Sequence, residues 1–314
     1  VFALTKKLIV SSSPHIRSPR TTQSIMLDVV IALLPTLVAA TIIFGSKALI
    51  LTVVCAASCV FFEWALCKIT KQDNTISDLS AVVTGIILAY NLPAELPIWM
   101  AVIGSFVAIV IVKGLFGGIG QNFANPALVG RIVLFVSFSS AMTTWVKPFS
   151  YQYGTTDVMT TATPLDMMRA GKWTEYSDLF FGTIGGCLGE TCALTLIIGC
   201  IYLVIRKVIN PIIPLVYIGT VALGAFLGGE DVLFHVLSGG LMLGAVFMAT
   251  DYTTSPTTNW GKVIFAAGCG IITIIIRLFG SYTEGVSFSI LLMNILTPYI
   301  EKATLPKVLG GAYK

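Results

Sequence analysis

The sequence predicts an all-α, polytopic membrane protein with about ten transmembrane segments, arranged as a 5+5 inverted repeat that includes half-helices. Three observations predict it. Of 314 residues, 56% are hydrophobic and only 11% are charged, whereas soluble domains carry roughly 25% charged residues. Apolar stretches recur along most of the chain at the length needed to cross hydrocarbon as a helix, about 17 residues or more. A short motif also recurs once in each half. The mean hydropathy is +0.90.

Segments are expected near 26–44, 48–67, 75–92, 97–115, 124–143, 183–206, 211–228, 231–250, 259–279 and 283–300. Several are interrupted by Gly or Pro, at Asn91-Leu-Pro93 and Asn125-Pro126, or by polar residues at Thr250-Asp251. Non-helical backbone at membrane depth survives only where protein or a cavity covers it, so these interruptions predict half-helices that meet inside the bilayer. The expected organisation is a cytoplasmic segment 1–25, a first membrane repeat 26–143, an outer loop 144–182, a second membrane repeat 183–300 and a cytoplasmic tail 301–314.

Lys and Arg placement sets orientation, because positive residues resist translocation. With the N-terminus cytoplasmic, that side holds Lys6, Lys7, Arg17, Arg20, Lys68, Lys71, Lys113, Arg131, Arg206, Lys207, Lys262, Lys302, Lys307 and Lys314. The outer side holds Lys47, Lys147, Arg169, Lys172 and Arg277, a bias of fourteen to five. Both termini are therefore expected in the cytoplasm, and the cytoplasmic membrane is the expected location. The stretch to Ser24 is polar and basic, so no signal peptide is expected there. Basic residues are not clustered with exposed aromatics, which argues against nucleic acid as a partner. The seven cysteines, Cys55, Cys59, Cys67, Cys187, Cys192, Cys200 and Cys269, lie in or beside apolar segments and read as small buried side chains rather than a disulfide framework or metal knuckle.

The recurring motif is Lys113-Gly-Leu-Phe-Gly117, at the end of the fourth segment, and Arg277-Leu-Phe-Gly280, at the end of the ninth. Upstream, Leu79-Ser80 with Gly85 is echoed by Leu237-Ser238 with Gly244. Five segments per half is an odd number, so the second copy enters the membrane inverted. In that plan binding sites form near the midplane, between the repeats.

The outer loop is the longest polar stretch. Trp145, Tyr151, Tyr153, Trp173 and Tyr176 suit an interfacial aromatic belt. Thr155, Thr156, Thr160, Thr161 and Thr163 form a threonine run centred on Thr160-Thr-Ala-Thr-Pro-Leu-Asp166. By composition alone this is a Thr/Pro-rich turn that needs no function.

Several motifs together give a more specific reading. Ser13-Pro-His15 precedes Ile25-Met-Leu-Asp28, and Asp78-Leu-Ser-Ala-Val-Val-Thr-Gly85 opens the third segment. Phe116-Gly-Gly-Ile-Gly-Gln-Asn122 leads into Asn125-Pro-Ala127, the stretch from Gly185 to Glu190 opens the sixth segment, and Phe247-Met-Ala-Thr-Asp251 closes the eighth. In order and spacing these resemble the D subunit of the Rnf complex, an ion-translocating ferredoxin:NAD+ oxidoreductase; that subunit family is related to the B subunit of the sodium-pumping NADH:quinone oxidoreductase. The resemblance implies FMN linked through its phosphate to Thr163, within a motif that Thr160, Thr161 and Ala162 complete. Thr161 stands where the family has Gly, which adds a Cβ and restricts the backbone. It also implies a second, non-covalent flavin, riboflavin, in the membrane part, and as partners the other Rnf subunits, above all the flavin-bearing G subunit on the outer side.

Asp78, Asn122, Asn125, Glu190 and Asp251 are polar residues in or at the ends of apolar segments. They are candidates for the second flavin or an ion path, with helix capping and cross-helix pairing as the alternative. The role implied is electron relay, with no side chain needed as nucleophile or base and no metal. The competing reading is a solute or ion channel built on the inverted repeat.

Overall fold

The computed structural model describes residues 20–71, 75–153, 160–280, 282 and 284–306. Ser13-Pro-His15, Lys6, Lys7, Arg17, Thr155, Thr156, Lys307 and Lys314 lie outside the described residues, as does the side chain of Tyr153.

The first half opens with two long helices, α1 (Thr22–Phe44) and α2 (Ser46–Thr70). Thr21 starts α1 with a capping box: its hydroxyl accepts from Ser24 N, and Ser24 Oγ accepts from Thr21 N, which satisfies two otherwise orphan donors. Gly45, at φ 81°, makes the sharp turn between the two helices, a conformation that side chains resist. After a 3-10 turn (Ile76–Asp78) come α3 (Ser80–Tyr90) and α4 (Ile98–Phe106), which runs on as a π-helical stretch (Val107–Gly114). Asn125 then caps α5 (Pro126–Ser137), accepting from Ala127 N and Leu128 N at 3.0 and 3.4 Å.

A short helix α6 (Ser139–Met142) leads into the loop, where strand β1 (Trp145–Val146) pairs antiparallel with β2 (Thr160–Thr161). Two short helices follow, α7 (Pro164–Arg169) and α8 (Tyr176–Phe181). The second half contains α9 (Ala193–Ile205), α10 (Ile212–Leu227), α11 (Val232–Leu237), α12 (Leu241–Leu243) with a π turn (Gly244–Met248), α13 (Asn259–Phe279) and α14 (Val286–Thr304).

Among the described residues α1, α2 and α13 are long and apolar enough to cross a membrane unaided, and five shorter apolar helices of 10–17 residues accompany them. The exterior is apolar: Phe226, Phe279 and Leu215 are each more than two-thirds exposed, as suits lipid contact. Helices approach closely through small residues, as is usual where lipid removes the hydrophobic drive between them. Gly85 on α3 lies against the Cys55–Ala56 backbone of α2, and Gly199 on α9 against the Ala32 carbonyl of α1.

The expected sixth and eighth segments are not continuous helices. The stretch 183–192 is non-helical until α9 begins at Ala193, and the eighth breaks at Ser238–Gly240. The physical reason is that the backbone at each break finds partners elsewhere in the fold. Leu188 N donates to Leu92 O and Gly189 N to Tyr90 O, so one break pairs with the end of α3. Arg277 donates to the His235 and Ser238 carbonyls left open at the other. Irregular backbone is thus hydrogen-bonded inside protein, as the bilayer demands.

Three charges that entered the orientation count prove not to be loop charges. Lys113, Arg131 and Arg277 are buried; without them the bias is twelve to four. In the loop, Tyr151, Trp173 and Tyr176 are exposed, whereas Trp145 is buried and belongs to a cavity wall rather than to a belt. The Tyr176 hydroxyl donates to Asp231 Oδ2 at 2.6 Å, tying α8 to the start of α11. That bond raises the Tyr176 phenol pKa, since the ionised form loses it.

Candidate functional site

Thr163 is the N-cap of α7: its Oγ1 accepts from Asp166 N at 3.2 Å and donates to Asp166 Oδ2 at 2.7 Å. Pro164 follows at the first helical position, where its missing N–H costs nothing. Thr163 is buried, and it lines a small niche of about 10 Å³ with Gly185, Gly186, Gly239, Glu190 and Glu284. Thr161 and Ala162 face a different space, a cavity of about 390 Å³ whose walls include Phe135, Trp145, Tyr282 and Phe288. Tyr282 stacks with Phe288 at 23° between ring planes, and Phe135 meets Tyr282 edge-on. Thr160 is exposed on β2, opposite Val146. The motif therefore straddles two spaces, with Thr163 itself lining the glycine-walled one.

Thr161 does not strain the turn. It sits in extended backbone paired with Trp145 and is absent from the positive-φ residues. Its methyl instead takes the space in front of Gly185, where any Cβ would collide with Thr161 Cγ2. The added side chain is thus accommodated by a missing one across the interface. Gly185→Ala is expected to displace β2 and lower the detergent melting midpoint, whereas Thr161→Gly in the same chain restores it. An unchanged midpoint in the single variant refutes the packing argument.

At the other end, Asn122, Asn125 and Asp251 converge on a second cavity of about 100 Å³, together with Ser80 and Lys113. Asp78 is not on its wall, but its Oδ1 accepts from Ser80 N and Oγ at 2.8 and 2.6 Å and so fixes a residue that is. Asn125 and Asp251 also serve the backbone, Asn125 as the α5 cap and Asp251 by accepting from Thr253 N and Oγ1. The Asn122 Oδ1 is buried with no partner among the described residues, an unmet acceptor beside the cavity. Lys113 Nζ donates to Glu63 Oε1 at 2.7 Å and to Ser80 Oγ at 2.6 Å.

Glu190 belongs elsewhere. It pairs with Arg131 on α5 at 3.0 Å, and Arg131 pairs also with Glu284 at 2.7 Å. The same guanidinium donates to Asn91 Oδ1 and Ser287 Oγ, each at 2.8 Å. Arg131 and Glu284 line the aromatic cavity. Sequence reasoning missed Arg131, Glu284, Lys113 and Glu63 as site residues. The signal was present, since Glu63, Lys113 and Arg131 each interrupt an apolar run, and an ionisable residue at membrane depth is a functional candidate by default. Counting Lys113 and Arg131 toward the cytoplasmic face hid it.

The model of the NQR2, RnfD, RnfE family matches residues 9–310. The D subunit of the Na(+)-translocating ferredoxin:NAD(+) oxidoreductase complex of Acetobacterium woodii is 50% identical over 308 residues, covering 96% of this chain and 95% of that protein. The D subunit of the proton-translocating ferredoxin:NAD(+) oxidoreductase complex of Clostridium ljungdahlii is 42% identical over 321 residues, covering 96% of each. The D subunit of the ion-translocating oxidoreductase complex of Salmonella arizonae is 36% identical over 344 residues, covering 96% and 98%. With apolar helices, an ionic cluster at the broken segments and a match across nearly its whole length, this chain belongs to the NQR2, RnfD, RnfE family of polytopic membrane proteins.

Proposed function

We propose that this chain is the membrane electron-relay subunit of an ion-translocating ferredoxin:NAD+ oxidoreductase complex, carrying FMN as a phosphoester on Thr163 and a non-covalent riboflavin in its membrane part. The relatives' names support the complex. The observation that carries the cofactor is the position of Thr163, whose hydroxyl bonds Asp166 on the wall of an aromatic cavity that the two preceding residues also line. The residues fit such a group. The cavity, at about 390 Å³, falls in the range of small-molecule sites, and apolar walls with a few fixed polar groups are their usual make-up.

Bound there, the flavin supplies one-electron transfer. This chain's own residues tether it, wall it with Phe135, Trp145, Tyr282 and Phe288 against water, and face it with the Arg131 guanidinium. Before attachment, Asp166 accepts from the Thr163 hydroxyl and holds it in one orientation. The riboflavin reading rests on family membership: the unmet Asn122 Oδ1 borders the second cavity, whose volume of about 100 Å³ lies below that of typical small-molecule sites, about 300–1,000 Å³. The G subunit, on the outer side, is the proposed redox partner, and other subunits carry the iron–sulfur centres and the NAD site.

In this reading ten segments form two five-segment repeats, 26–143 and 183–300, of opposite orientation, with 144–182 outside and segments 1–25 and 301–314 in the cytoplasm. The recurring motif supports it: Lys113 reaches Ser80 at the break before α3, and Arg277 reaches the Ser238 carbonyl at the break after α11.

Intact mass of the chain purified from its own host tests the function, with an increase of FMN less one water expected. A chain at its bare sequence mass removes the covalent FMN, and with it the electron-relay role, from this reading. For orientation, Lys172→Cys in intact cells is expected to react with an impermeant thiol reagent well above the wild-type background, because Lys172 is exposed on the loop. Protection of that cysteine reverses the topology.

A further inference from the structure

Two carboxylates share one guanidinium at the edge of the aromatic cavity. Glu190 and Glu284 both bond Arg131, and with Cys187 their ligating atoms lie within 4.8 Å of one another. The second guanidinium nearby, Arg277, directs its bonds to the His235 and Ser238 carbonyls. Among Arg131, Arg277, Glu190 and Glu284, with both acids ionised, two positive and two negative charges balance; Asp166 is a further acid on the same cavity, so no positive charge is in surplus. Any further negative charge beside this cluster needs compensation, because low dielectric makes unbalanced charge costly.

The two acids are not equivalent. Glu190 lines only the niche at Thr163, and its Oε2 is enclosed with no partner among the described residues. Glu284 lines both spaces, standing between the aromatic cavity and the niche. It sits in the connection between α13 and α14, and the cavity it faces is bordered by the exposed Thr143 at the outer loop. Glu284 is thus the cluster acid that meets both a ring seated in the cavity and water at its mouth.

Resting on the FMN reading above, we propose that Glu284 is a redox-linked proton site, which binds one proton when the ring in the aromatic cavity gains one electron and releases it when the electron leaves. The electron comes from a reduced flavin of a partner subunit, which is oxidised by one electron. The ring gains one negative charge, and a water-derived proton forms an O–H bond on the Glu284 carboxylate, so that the site's charge is unchanged. Arg131 keeps its bonds to Glu190 and Asn91 throughout and cannot itself release a proton. The groups facing Glu284 are Arg131 from α5, Cys187 and Glu190 from the 183–192 stretch, and Arg277 from α13. Asp166 of α7 and Tyr282 share its cavity.

Spectroelectrochemistry of the purified flavinylated chain tests this. One proton per electron lowers the midpoint potential by about 59 mV per tenfold change in proton concentration. Wild type and Glu175→Gln, a change at an exposed acid outside both spaces, are expected to show that slope over part of the range from about pH 6 to 9, and Glu284→Gln to lose it. Redox-difference infrared spectra of the wild type are expected to show a carboxylate band replaced by a carboxyl band on reduction. A covalently flavinylated Glu284→Gln chain that keeps the wild-type slope overturns the proposal and leaves the FMN reading intact. So does loss of the slope in Glu190→Gln with retention in Glu284→Gln. If Glu284→Gln does not fold, a wild-type infrared spectrum without the carboxyl band overturns it equally. Wild-type chain without flavin fails the FMN reading itself, and the proposal with it.

Discussion

Thr163→Ala is expected to abolish the fluorescent band on a denaturing gel, leaving the chain at its sequence mass, because alanine offers no oxygen for the ester. The substitution also removes an N-cap, and such losses cost about 0.5–2 kcal/mol. The control is Thr163→Asn, which keeps a good capping side chain but has no hydroxyl. It is expected to fold normally and to carry no flavin, whereas Thr163→Ser, which keeps both the cap and an oxygen, retains part of the label. Thr160→Ala should keep its flavin, since Thr160 is exposed on β2 and lines neither space. Fluorescence that survives in both Thr163→Ala and Thr163→Asn moves the attachment point. Thr161 is then the next hydroxyl to test, because it lies on the wall of the aromatic cavity.

Arg131→Met is expected to be the most destabilising single change in the membrane core. It leaves Glu190 and Glu284 without their common partner and also frees Asn91 and Ser287. Removing one member of a buried ion pair costs about 3–5 kcal/mol, since the remaining charge stays buried and unpaired. The effect should appear as a large fall in the detergent melting midpoint and in the folded fraction by size exclusion. Arg131→Met with Glu190→Gln and Glu284→Gln neutralises the cluster and should recover much of that loss. Arg131→Lys should recover less than its conserved charge suggests, because one ammonium cannot reproduce a planar fork that reaches Asn91, Cys187, Glu190, Glu284 and Ser287. A single variant that melts like the wild type shows that the cluster is not ionic in the folded protein.

Sequence alone determined the class of molecule, a helical polytopic membrane protein, and the positions of most of its apolar helices. Apolar runs and their Gly, Pro and polar interruptions are local properties, and helix ends followed them closely: Asn125-Pro126 does start α5, and α3 does stop before Asn91-Leu-Pro93. The Thr160–Thr163 motif was likewise legible, because it is contiguous. Tertiary structure decided the rest. Whether Lys113, Arg131 and Arg277 are loop charges or buried partners depends on carboxylates, hydroxyls and carbonyls far away in sequence, and no periodicity reports those. Thr161 looked like a departure from a glycine turn, yet Gly185 stands opposite it and leaves room for its methyl. Glu190 looked like one of five similar candidates, yet Arg131 draws it to Glu284 at one end while Asn122, Asn125 and Asp251 gather at the other. The reason is general to membrane folds: backbone hydrogen bonds and apolar faces are written locally, whereas a charge taken into the bilayer is defined only by the partner that meets it there.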